Sequence, residues 1–393
     1  MSINRRFAFI LLGSLLSTAC TFAQQTVQQT APAAQPPSGR ITLDVVVTPK
    51  GGAPVPNMQR QDFTLLDNKT ARFITSFRAL AQSQEPAEVV LVIDDVNTEY
   101  QTIAYARPQI EKFLRANDGH LPYPTTLAVV TDTGTKIQQN ATTDGNALSA
   151  AFDQYEVGLK SLRRDTGIYG AEDRSDLGLR GLSSLMTRES TRPGRKLILW
   201  VSPGWPLLSG PRLDLGSKQE QQIFSDIVAL STQFRNTRTT LYNINPLGTS
   251  EGVMRTNYYE AFIKGVQRPS QVDIGDLSLQ VLATQSGGQV LNADNDITSL
   301  LQKAMADTSA YYELSFDAPP AEHPDEYHHL EVQLNNSNLV GRTLQGYYAQ
   351  PYSPPRRCAT IASRYPPAQS RPPSLPPRSQ TGAFSTSRIG DVL

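Results

Sequence analysis

Between Glu85 and Thr308, short apolar runs alternate with longer segments whose apolar residues recur every three or four positions. The runs are EVVLVID, TTLAVVTD, TKIQQNAT, KLILWVS, TTLYNINP and QVLNA, each of strand length and bounded by turn residues. Most are separated by segments that read as helices. TIAYARPQIEKFLRAN is the first, and DGNALSAAFDQYEV follows with Asp144 as its N-cap. SDLGLRGLSSLMTRE begins at Ser175 or Asp176, and SKQEQQIFSDIVALSTQFRNT is the longest. LSLQVLATQSGG ends on Gly287, and ITSLLQKAMADTSA is the last. Few architectures accept such an alternation. It predicts an α/β domain over 85–310, a mostly parallel sheet with helices on both faces.

Strand-like blocks flank this region. Arg40 to Ala81 holds ITLDVVVTP, a Gly-rich turn, DFTLLDN and ARFITSFRAL, which predict an antiparallel β unit over 40–82. About 40 residues bury too little surface to stand alone, so this unit is expected to pack on the α/β domain after it. YYELSFDA, HHLEVQLN and RTLQGYYA predict a second β extension over 311–350. No internal repeat is evident.

Beyond these blocks the composition changes. Residues 1–23 carry Arg5 and Arg6, then FAFILLGSLLSTA, then Thr21 and Ala23 as small residues before a cleavage point. This predicts an export signal, too short to span a bilayer, and a periplasmic or extracellular protein. LSTAC, ending at Cys20, also resembles a bacterial lipobox with Ser17 where Leu is usual, so lipid anchoring through Cys20 is the second expectation. With the leader removed, Cys358 alone remains, and an internal disulfide is excluded. Residues 24–39 read as a flexible Gln/Pro/Ala tether, and 351–393 as a Pro-rich disordered tail. Lys+Arg and Asp+Glu both number 36, so no global field favours nucleic acid or a membrane surface. No segment of the mature chain is apolar enough over 18 residues to span a membrane.

The first apolar run ends in Asp94-Asp95-Val96-Asn97-Thr98. Open α/β sheets bind ligands outside the carboxyl ends of their strands. Three readings of this strand end stand side by side: a divalent-cation site, a phosphoacceptor site, and a structural cap of the following loop. The phosphoacceptor reading needs a Lys after the fifth strand, and TTLYNINPL has none.

Taken together, the blocks resemble the von Willebrand factor A-related family of exported acidobacterial proteins. The resemblance rests on DVVVTPKGGAPV, DFTLLDN and FITSF, on LVIDDVNT and RKLILWVSPGWP, and on the closing YYELSFDA, YHHLEVQL and GYYA. It covers Arg40 to Tyr348 and implies a Rossmann-like A domain with added strands. It also implies a degenerate adhesion-type site for Mg²⁺ or Mn²⁺, in which Asp94, Thr98 and Asp176 (with Ser175 as the near alternative) are the metal ligands. Val96 stands where that family has a ligating Ser, and Ser202-Pro203-Gly204 where it often has Thr-Asp-Gly.

Other chemistry is sparse. Phosphate-loop and His-Glu-x-x-His patterns are missing from the sequence, and no nucleophile–base pair can be assembled, so an enzyme is not expected. His323, His328 and His329 lie near Glu322, Asp325 and Glu326, but neighbouring strand residues face opposite ways and do not easily share a metal. Trp205 and Pro206 flank the strand end and read either as packing or as an apolar contact for a partner. The aromatic group Tyr258, Tyr259 and Phe262 lines the same rim or packs on the sheet. The expected function is an exported binding or adhesion module that engages a protein or cell-surface ligand at the carboxyl edge of its sheet. The alternative is a structural cell-envelope assembly protein with an inert, metal-free site.

Overall fold

The computed structural model describes residues 39–81, 87–155, 167–206, 215–248 and 258–351. The leader with Cys20, the tether and the Pro-rich tail with Cys358 lie outside the described residues. Asp94 ends β5 (Ala87–Asp94), the central strand of the α/β domain. β6 (His120–Thr131) and β9 (Arg195–Val201) flank it in parallel. β10 (Thr239–Ile244) and β11 (Val290–Leu291) continue beyond β9, also parallel. β7 (Gly134–Ile137) closes the other edge antiparallel to β6, and β8 (Thr142–Asp144) also pairs antiparallel with β6. The order is β11-β10-β9-β5-β6-β7. Counted in chain order from the β7 edge, with β8 set aside, this is 3-2-1-4-5-6. That is the doubly wound Rossmann order, and the chain reverses its direction of winding between β5 and β9. The fold class expected from the sequence is observed as a Rossmann-like α/β domain, a mostly parallel sheet with helices on both faces, with antiparallel β additions.

β5 shows why its sequence is a continuous apolar run. Val89, Leu91 and Ile93 face one core with α1 (Tyr100–Leu114), α2 (Gly145–Asp153) and α6 (Ile297–Ala306). Val90 and Val92 face the other with α3 (Gly167–Glu189), α4 (Ser217–Thr237) and α5 (Leu279–Gln285). A strand covered by helices on both faces has no solvent side to be polar. The local signals hold as well. Asp144 caps α2 by accepting from Ala147 N at 2.9 Å, and Gly287 takes φ 87° just beyond α5. α3 is longer than expected and begins at Gly167, eight residues before Ser175.

The flanking β blocks behave differently from two separate extensions. β1 (Arg40–Pro49) pairs with β12 (Ala310–Asp317) and β14 (Leu339–Arg342). β4 (Ser76–Ala81) pairs with the other side of β12. β2 (Phe63–Asp67) lies between β3 (Thr70–Arg72) and β13 (Glu326–Leu334), which also pairs with β15 (Gly346–Ala349). RTLQGYYA thus supplies parts of two strands in different sheets. Two four-stranded sheets result, and they share a core of Leu43, Val45, Val47, Phe63, Leu65, Tyr312, Leu330 and Tyr347. Their strands come from both ends of the chain because neither end has enough apolar surface by itself.

The sandwich is held to the amino edge of the parallel sheet and also packs along α4, where Tyr348 of β15 meets Phe224 edge to face at 5.8 Å. Arg238, in the left-handed conformation at the end of α4, binds Asp44 of β1 and Glu313 of β12. The Arg195 guanidinium at the start of β9 lies 4.6 Å from the Tyr311 ring centroid and donates to the Asp307 carbonyl at 2.9 Å. The carboxyl edge is left facing away from these contacts.

Candidate functional site at the carboxyl edge of the sheet

Asp94 follows Val90 and Val92 in the two-residue repeat of β5, so its side chain turns toward the α3–α4 core. On that face β9 presents Trp200, whose strand position pairs with Val92. The Asp94 carboxylate is completely buried. Its Oδ1 accepts from Asn97 N at 2.9 Å, an Asx-type turn that shapes the β5–α1 loop. The Asn97 amide reaches Oδ1 at 3.2 Å and Oδ2 at 3.0 Å. Oδ2 also accepts from Trp200 Nε1 at 2.9 Å and Trp205 Nε1 at 3.2 Å. Burial pushes the Asp94 carboxyl above the usual range, and these hydrogen bonds oppose the shift.

Two glycines of α3 make room for this arrangement. A Cβ on Gly178 would lie 2.5 Å from Trp205 Cε2, and one on Gly181 would lie 3.1 Å from Val130 Cγ2 and 3.5 Å from Trp200 Cη2. The helix therefore rests directly on both indoles. Glycine within a helix costs roughly 0.5–1 kcal/mol against alanine, and the close packing offsets that cost. Gly178→Ala reverses the usual sign: the indole is rigid, and overpacking of this kind costs about 1–3 kcal/mol. Equilibrium urea unfolding should show the loss, where a solvent-facing helical Gly→Ala change would show a gain.

Thr98 is brought to the same loop and is 2% exposed. Asp176 is not turned inward. Its carboxylate is 63% exposed and lies 3.9 Å from Arg180 on the same helix. The Ser175 hydroxyl donates to the Pro206 carbonyl at 3.4 Å. Val96 is buried in the α3–α4 core. Trp205 is 3% exposed, so it packs in the interior rather than presenting an apolar contact to a partner. Among the described residues no three His, Cys, Asp or Glu side chains are grouped to hold a metal ion. These residues do not fit a divalent cation. A hard ion needs carboxylate lone pairs and further oxygen ligands, and here the lone pairs are taken by N–H donors.

The histidines separate as strand geometry requires. His328 is buried, and its Nδ1 lies 2.7 Å from Asp67 Oδ1, whereas His329 is exposed. The Tyr347 ring stacks on His328 at 4.9 Å and donates its hydroxyl to Asp67 Oδ2 at 3.2 Å. Asp67 gave no signal in the sequence, because its partners His328 and Tyr347 lie more than 250 residues away.

The carboxyl edge also carries an open hollow of about 380 Å³. It is lined by Gln101, Thr102 and Tyr105 of α1, Pro246 and Leu247 beyond β10, and Asn295 beyond β11. Tyr105 is 52% exposed and donates to the Asn295 carbonyl at 3.1 Å, and Tyr100, the first residue of α1, is 58% exposed. Tyr258 is also exposed and packs on Phe262 at 5.3 Å. A larger hollow of about 660 Å³ lies elsewhere, between residues 263–267 and strands β13 and β14. Its walls include none of the strand-end residues, so size alone does not identify the ligand edge.

No protein-family profile matches the chain, and no curated protein matches it. Solved structures do. The human COPII-coat protein Sec24c matches at 8% identity over 68% of this chain, with TM-score 0.32. This chain spans 44% of that one, less than half its length. The SpRpn10 VWA domain matches at 10% identity over 57% of this chain and 97% of its own, with TM-score 0.29. The manganese-loaded Plasmodium vivax TRAP protein matches at 9% identity over 74% of this chain and 100% of its own, with TM-score 0.29. The fold class rests on the strand order given above rather than on these likenesses.

Proposed function

We propose that the protein is an exported, non-catalytic binding module that engages a protein or cell-surface ligand through the carboxyl edge of its parallel sheet. One observation carries this reading. The sandwich is attached at the amino edge and along α4, while the carboxyl edge beside α1 holds a hollow lined by the half-exposed Tyr105. Tyrosines offer a large, stiff contact area with a hydrogen-bonding tip, and they are enriched among interface anchors. The hollow also presents neutral amide and hydroxyl groups from Gln101, Thr102 and Asn295. The apolar leader at residues 7–19 supports export. Among the described residues no helix is long and apolar enough to cross a membrane.

The second reading, assembly through strand edges, is favoured by β14. It is the outer strand of its sheet, it borders the 660 Å³ hollow, and its Val340 is 42% exposed. An unpaired edge is a template for another strand. Binding of the purified chain to a cell-envelope fraction, measured for Tyr105→Ala and Val340→Lys, separates the two. On the edge-of-sheet reading Tyr105→Ala weakens binding by about tenfold or more, the scale of an interface anchor, and Val340→Lys leaves it unchanged. The reverse pattern would replace it with strand-edge assembly.

A further inference from the structure

The chain has two tryptophans, and both indole N–H groups donate to the same oxygen of the same carboxylate, Asp94 Oδ2. With the three contacts from Asn97, five hydrogen bonds converge on a group that offers about four lone-pair sites. We infer that Asp94 is a metal-independent clasp: the strand-end acid that the resemblance assigns to a divalent cation instead ties β9, the segment after it and the β5–α1 loop together by hydrogen bonds.

Three features support the substitution. First, the indole N–H is a donor only, so it presents the positive end of a dipole to the carboxylate where a cation would sit. Second, three of the positions that would complete a metal shell supply no ligand. Val96 and Pro203 have no side-chain oxygen, and Asp176 is turned to Arg180 at the surface. Third, the donors are locked. Trp200 and Trp205 meet edge to face at 5.5 Å and 77°, and Gly178 and Gly181 bring α3 down onto them. A metal-dependent edge is assembled when the ion arrives, whereas this one is assembled when the chain folds. The clasp does not depend on which partner binds, and it stands or falls separately from the binding reading.

Because the only two tryptophans sit in the clasp, intrinsic tryptophan emission of the full chain reports on it alone. Paramagnetic Mn²⁺ bound at Asp94 would quench that emission saturably. The expected result is no saturable quenching by Mn²⁺, and melting curves that coincide in Mg²⁺, Mn²⁺, Ca²⁺ or chelator. Asp94→Asn keeps the volume but, in either amide orientation, places an N–H against the N–H donors of the indoles or of Asn97. Its emission should shift to the red and its melting midpoint fall by several degrees, again without response to metal. Trp205→Phe keeps an aromatic ring and removes one donor, and Trp200 then reports singly with a smaller fall in midpoint. Saturable Mn²⁺ quenching or a chelator-sensitive melt in the wild type, lost in Asp94→Asn, would overturn the inference. So would an Asp94→Asn protein that melts and emits like the wild type. If Asp94→Asn does not fold, Trp205→Phe decides: a midpoint equal to the wild type sinks the clasp.

Discussion

Asp67→Ala should lower stability by about 3–5 kcal/mol, the scale for removing one partner of a buried charged network. Asp67 is completely buried at the end of β2. Its carboxylate receives His328 Nδ1 at 2.7 Å, Arg72 Nε at 3.2 Å and the Tyr347 hydroxyl at 3.2 Å. These groups come from β13, β3 and β15, so one side chain joins all four strands of its sheet. Removing it leaves the buried Tyr347 phenol and His328 imidazole without their acceptor, while the partly exposed Arg72 can turn to water. His328 Nε2 is already buried without a hydrogen bond, with Glu326 Oε1 3.7 Å away. Denaturant unfolding followed by far-UV circular dichroism measures the loss. A change below about 1 kcal/mol, typical of a neutral surface site, would show that the network is not what joins the sheet.

The second large effect depends on pH. Asp276 lies in a 3-10 turn, Ile274–Leu277, just before α5 and is 5% exposed. Its Oδ2 accepts from Asp273 N at 2.7 Å. Burial pushes its carboxyl up to about 7, with the nearby Asp273 carboxylate adding to the shift. The ionised form is thus disfavoured in the folded chain relative to the unfolded one. A raised carboxyl pKa contributes stability that is fully present below about 4 and is lost as pH rises through about 7. Each pH unit of that window is worth about 1.4 kcal/mol, so the full loss is up to about 4 kcal/mol. Asp276→Asn keeps an acceptor for Asp273 N and has nothing to ionise. The variant should match the wild type near pH 4 and exceed it by a few kcal/mol at pH 8. Unfolding free energies of the pair across this range test the point. Parallel pH profiles for the two proteins would refute it.

How much of the molecule is legible in its sequence depends on the range of the interactions. The α/β domain is legible because its signals are local: continuous apolar runs for strands covered on both faces, Asp144 before a helix, Gly287 after one. Ser217–Thr237 appears as a helix with the bounds its sequence predicts. The early start of α3 is hidden by Gly167 and Gly170, which read as loop residues until the helix packs on its neighbours. Strand pairing in the sandwich is hidden by distance, since Arg40 faces Asp317 and Leu330 faces Asp67. At the site, the sequence places Asp94 and Thr98 at the end of the central strand, where the structure has them. The alternation of β5 sets the face that Asp94 takes, but its partners are not written in its own neighbourhood. They are Trp200 across the ladder and Trp205 beyond it, and the one available clue is that both tryptophans flank a single strand end.

The interleaving of β1, β2 and β4 with β12 to β15 makes the α/β domain an insertion within another domain. A chain made from its amino end produces these strands early and must synthesise the whole α/β domain before their partners appear. Contacts of such separation close large loops and form slowly. The parallel sheet, whose contacts are nearer in sequence, can order first and act as the frame on which the two chain ends meet. Until residue 310 and beyond are available, β1 and β4 have bare edges, which are open to pairing with other chains. The order of events in folding is therefore fixed by topology: the sandwich, although it begins the sequence, is completed last.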